Sequence, residues 1–94
     1  MRERPVTKRE FVKILKKLGF SHVRTNASHE HWEHRNFNGE RRLVTVDGHH
    51  EPFARDLLKS MRSQAGLSRR EFMKCLDDIR HCEKVRRKYD PAFD

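Results

Sequence analysis

Apolar positions near the start of the chain recur as Phe11, Ile14, Leu15 and Leu18, while Lys8, Arg9, Lys13, Lys16 and Lys17 fill the rest of the circumference. That i, i+3, i+4, i+7 spacing predicts an amphipathic helix. Thr7-Lys8-Arg9-Glu10 has the form of a capping box in front of it, and Gly19-Phe20 supplies the left-handed residue and following apolar residue of a helix ending. The period then shortens to two. A strand is expected over 20–25 with Val23 inward, then a turn at Asn26-Ala27, a second strand over 28–36 and a third over 40–47, joined around Asn38-Gly39. Helical spacing returns after Pro52, which suits the first turn of a helix over 53–65 with Leu57, Leu58, Met61 and Ala65 inward. Gly66-Leu67 ends it, and Ser68-Arg69-Arg70-Glu71 caps a further helix striped by Phe72, Leu76 and Ile79. From residue 83 the stripe fades into Lys84-Val85-Arg86-Arg87-Lys88, which reads as a basic continuation of that helix or as a loose tail. The pattern describes one domain over 1–94 with its core in 7–80, and frayed or basic ends at 1–5 and 84–94.

The register of the central hairpin decides which side chains share a face. A two-residue Asn38-Gly39 turn sets Trp32 against Thr45 and mixes core with surface. A three-residue loop, Phe37-Asn38-Gly39 with Gly39 left-handed, pairs Trp32 with Val44 and Glu30 with Val46, collecting the apolar residues on one side. The second register is the expected one. It leaves His29, His31 and Glu33 on the open face, with Asp47 across from His29 and Thr45 across from His31.

Composition narrows the partners. The chain has 94 residues, with 22 Lys+Arg against 14 Asp+Glu and a formal charge of +8, which favours a polyanion, nucleic acid first. No run approaches the ~18 apolar residues of a membrane span, and Met1-Arg2-Glu3-Arg4-Pro5 lacks the apolar core of a signal peptide, so no membrane partner and a cytoplasmic location are expected. Cys75 and Cys82 fall on what reads as a single helix, about 10 Å apart along its axis and out of reach of a disulfide. They read as small apolar residues.

Three kinds of chemistry fit the histidine stretch and the helices after it. RNA cleavage at the 2′-hydroxyl needs a base, an acid and cations around the phosphate, and imidazole, titrating near pH ~6.5, can serve as acid or base. His29 is the candidate catalytic residue, with Asp47 as its orienting carboxylate and His31 one pleat away. A zinc site from His29, His31 and His49 or His50 lacks a completing ligand set of recognisable spacing, and no metal or cofactor is expected. Residues 57–69 onward also allow a helix-turn-helix with a basic second helix, a DNA-binding reading. The plain alternative is a solvated polar face without chemistry. For phosphate contacts the candidates are Lys8, Lys13, Lys16, Lys17, Arg24, Arg86, Arg87 and Lys88.

Taken in order, a capped helix, Gly-Phe, strand, Ser-His with an aromatic residue three positions on, Asn-Gly hairpin, Val-Thr-Val strand, His, a Leu-Leu helix ending Gln-Ala-Gly-Leu-Ser and a Glu-Phe helix resemble the HicA (YcfA-like) family of toxin mRNA interferases over about residues 7–76. The resemblance implies an α+β, double-stranded-RNA-binding-domain-like fold, αβββα with a three-stranded antiparallel sheet, plus a C-terminal helix. It also implies metal-independent mRNA cleavage that stops translation, and neutralisation by a HicB-type antitoxin. The family's catalytic histidine, which follows Gly-Ser, matches His29. Ala27 stands where the family has that glycine, and Asp47 where its Val-Pro-x-His segment has proline, with His49 keeping the family position. A non-catalytic RNA-binding module of the same fold is the alternative, and the DNA-binding reading comes third.

Overall fold

The computed structural model of the protein describes residues 5–48 and 52–93. Along the chain these form α1 (Lys8–Lys17), β1 (Ser21–Asn26), β2 (His29–Phe37), β3 (Glu40–Asp47), α2 (Arg55–Gln64), α3 (Arg69–Asp77) and α4 (His81–Tyr89). The strands make one antiparallel sheet in the order β1-β2-β3, so the fold is α+β with the expected αβββα layout and further helix at the C-terminus.

Local chemistry sets the helix ends. Thr7 and Ser68 both cap with reciprocal bonds to Glu10 and Glu71, which satisfies donors that the first turn leaves free. α1 closes where Gly19 takes φ +95° and the Phe20 N–H reaches the Leu15 carbonyl at 2.9 Å, a Schellman ending. All four residues of the α1 stripe are buried, and Phe11 lies with its ring centroid 5.4 Å from Phe72 and 6.1 Å from Phe53. α2 begins at Arg55, later than the spacing after Pro52 suggests. Phe53 spends its N–H on the Val6 carbonyl and its ring on the core, which holds the segment extended until Ala54.

The hairpin has the expected register by a different device. Trp32 pairs with Val44, Glu30 with Val46, His31 with Thr45 and His29 with Asp47. Phe37 pairs with Glu40, however, so the turn is the two-residue Asn38-Gly39, with φ +53° and +82°, as a type I′ turn requires. The extra residue sits further down, where Arg35 and Asn36 oppose Arg41 in a bulge between His34 and Phe37. Beyond β3, α2 guards the sheet edge: the Gln64 side-chain oxygen accepts the Thr45 N–H at 3.1 Å.

Two expectations about β1 and the C-terminus are corrected. Val23 does not point inward; the ladder shifts register between His22 and Arg24, and Val23 bulges out at 49% exposure. Residues 84–93 are neither frayed nor a tail. The chain breaks helix at Asp78, whose carboxylate accepts the Arg80 N–H at 3.0 Å, and restarts as α4, which buries Cys82 and Val85 and delivers Asp90 to His34. Cys75 and Cys82 therefore belong to different helices, and the 10 Å separation along one axis does not apply. The two buried thiols are free and hydrogen-bond to one another, which, with burial, pushes the Cys75 thiol up.

Candidate active site

Ala27 opens the turn that leads into β2, and its φ of +56° is left-handed, the conformation that glycine adopts without steric cost. Asn26 pairs with His29 across this turn, so His29 begins the middle strand with β1 on one side and β3 on the other. Its Nε2 lies 3.7 Å from Asp47 Oδ2, longer than a hydrogen bond and close enough for ionic attraction whenever the imidazole carries a proton on both nitrogens. The histidine side chain is 49% exposed and the carboxylate 17%, so the ring stands about half open to solvent while the acid is largely covered. Gly48 donates its N–H to the Ser28 carbonyl at 2.8 Å, which ties the end of β3 to the turn and fixes the pair's spacing.

His31 shares the face. Its Nδ1 is 3.3 Å from Thr45 Oγ1, a contact that orients the ring and leaves Nε2 for other work. Opposite it on β1 stands Arg24, exposed. The Val23 bulge puts it there: on an uninterrupted ladder Val23 would oppose His31 and Arg24 would turn to the core side. Glu33 completes the row, paired with Arg41 across the hairpin. Open-face cations thus sit on both sides of the histidines.

Other candidates lie elsewhere. Lys8 is ion-paired with Glu30, and that bond, with one from Trp32 Nε1, holds the Glu30 carboxyl below its usual range although burial opposes it. With Lys16, 5.8 Å from the Trp32 ring centroid, Lys8 borders a groove of about 690 Å³ between α1 and β1–β2, on the core side of the sheet. Lys13 and Lys17 are exposed on α1. Arg86 bonds Asp90 at 3.0 Å and stacks 4.2 Å over Phe93, while Arg87 pairs with Glu83 at 2.7 Å and Lys88 stays 67% exposed. This cluster ends near the hairpin turn, where the Tyr89 carbonyl accepts the Asn38 N–H. It is at the opposite end of β2 from His29, so the structure does not bring Arg86, Arg87 and Lys88 to the histidine face. His49, and with it part of the zinc reading, lies outside the described residues; among these, no three His, Cys, Asp or Glu side chains are grouped to hold a metal. No described helix is long and apolar enough to cross a membrane.

A basic α+β domain of double-stranded-RNA-binding type, carrying a half-exposed histidine–carboxylate pair on its open sheet face, is the class that fold and site define. A family model described as HicA toxin of bacterial toxin–antitoxin systems matches residues 9–67, and the chain belongs to this family. At the level of the family this is a toxin that acts as a ribonuclease and is held by a cognate antitoxin. Searches of curated proteins and of solved structures returned no match.

Proposed function

We propose that this toxin cleaves mRNA through His29 without a metal, the 2′-oxygen attacking phosphorus as the bond to the 5′-oxygen breaks. His29 and His31 are near enough on one face to divide the work: one takes the 2′-hydroxyl proton and the other returns a proton to the leaving 5′-oxygen. Asp47 orients the His29 ring, and Arg24 meets the charge that gathers on the phosphorane. The observation that carries this reading is the His29–Asp47 pair at 3.7 Å on an exposed face of a family ribonuclease. His49 is given no part.

A HicB-type antitoxin would neutralise the protein by covering the same face. Leu43, paired with Glu33 on that face and 46% exposed, offers the apolar contact that such a partner needs.

The test is RNA cleavage by the parent and by His29→Ala in the presence of a chelator. The parent is expected to cleave at an unchanged rate, and the variant to lose cleavage and growth arrest while keeping its far-UV spectrum. Cleavage by the variant at the parental rate would overturn the role of His29, and loss of parental cleavage in chelator would overturn the metal-free mechanism. A protein that binds RNA yet never cleaves it would be the non-catalytic module.

A further inference from the structure

Beyond the family-matched stretch, α3 and α4 enclose a cleft of about 550 Å³ lined by Arg70, Lys74, His81, Lys84 and Lys88. Arg70 and Lys74 are four residues apart on one helix, as are Lys84 and Lys88 on the other, so each pair is separated by roughly 6 Å along its axis. Like charges at that spacing repel. Among the described residues Arg70, Lys74 and Lys84 have no ion pair to relieve them. The acid that lines the cleft, Glu71, is already taken by the Ser68 N–H and the Tyr89 hydroxyl, with Lys88 at 3.6 Å. What remains is two short ladders of cations facing water.

We propose that this cleft binds the phosphodiester backbone of RNA, away from the point of cleavage; the ribonuclease reading enters only in the choice of RNA as occupant. A protein partner fits less well. Interface cores are built from apolar and aromatic side chains and depleted of charge, whereas the large apolar residues exposed among the described residues, Val23 and Leu43, are both in the sheet. The apolar lining of the cleft, Val85 and Tyr89, is buried and half-buried, and the exposed side chains around it offer charge, which is what phosphates reward. It also extends the footprint. The Tyr89 carbonyl meets Asn38 at the hairpin turn, and β2 runs from there to His29 over roughly 26 Å at about 3.3 Å per residue. A strand stacked at the duplex rise of about 3.4 Å per nucleotide covers that distance in about eight nucleotides, and an extended one in fewer.

Fluorescence anisotropy with a 2′-O-methyl RNA 16-mer, which lacks the attacking hydroxyl, tests this across a salt titration. Arg70→Gln/Lys74→Gln/Lys84→Gln is expected to weaken binding about tenfold at ~0.1 M salt, and to reduce the slope of log K against log salt by about two, near 0.7 per lost phosphate contact. The matched triple Arg55→Gln/Lys59→Gln/Arg62→Gln on α2 removes the same charge and should move the slope by less than half as much. Equal effects of the two triples, or an unchanged slope, would overturn the proposal. So would loss of poly-L-glutamate binding with RNA binding intact, which would make the cleft a site for an acidic protein. Should the triple fail to fold, Lys84→Gln alone is expected to lower the slope by about 0.7. The two readings separate cleanly, because His29→Ala is scored on cleavage and the cleft variants on binding of an RNA that lacks the attacking hydroxyl.

Discussion

His34 Nε2 and Asp90 Oδ2 lie 3.0 Å apart with both side chains buried, a contact across 56 positions that ties the end of the chain to the middle strand. Arg86 adds a second bond to the same carboxylate, and the Ala92 N–H a third to its other oxygen. One histidine of the central stretch is thereby structural, while His29, five residues earlier, stands in solvent.

Burial works against a charge on Asp90, yet the bonds from Arg86 and His34 outweigh it and hold the carboxyl below its usual range. A carboxyl whose folded value lies below its unfolded one, about 3.9, contributes its full stability above that pH and loses it as pH falls through the folded value. Asp90→Asn is therefore expected to lower unfolding stability by about 3 kcal/mol at pH 7, by stranding buried partners, and to flatten the acid-side decline. Urea melts at pH 7 and near pH 3 check this; equal stability at pH 7 would show that the network does not hold α4 in place.

Ala27 holds a left-handed φ of +56° in the turn before His29. Glycine there removes the clash between Cβ and backbone, so Ala27→Gly is expected to stabilise the protein by about 1 kcal/mol, or some 4–8 °C in Tm. Calorimetry decides it. A lower Tm would mean that the entropy glycine adds to the unfolded chain exceeds the strain relieved.

Asp47 stands 3.7 Å from His29 on the open face, with its side chain 17% exposed. Asp47→Asn keeps the shape and removes the charge. Steady-state cleavage is expected to show kcat down about tenfold with KM little changed, a modest share of what acid–base catalysis supplies. An unchanged kcat would remove Asp47 from the catalytic account.

Periodicity and capping made most of the fold legible. The α1 stripe, both capping boxes, the Gly-plus-apolar endings and the pairing of Trp32 with Val44 all come from nearest-neighbour chemistry and from which residues avoid water. The hairpin device was hidden, because a three-residue loop and a two-residue turn with a downstream bulge give the same offset between Trp32 and Val44. Apolar alternation reports the offset and not where the extra residue sits.

For the candidate site the division is similar. That His29 and Asp47 stand opposite was determined by the sequence, since burying Trp32, Val44 and Val46 leaves them no other face. Arg24 beside His31 was decided only in three dimensions, by a bulge at Val23 that no spacing rule announces. The same holds for α4: Cys82 and Val85 are too sparse to write an apolar stripe, and the helix docks because His34, far away in sequence, waits for Asp90. Local order is written in short spacings along the chain, whereas a buried hydrogen bond between distant residues, and the cleft that its helix closes, exist only once the core has brought the two ends together.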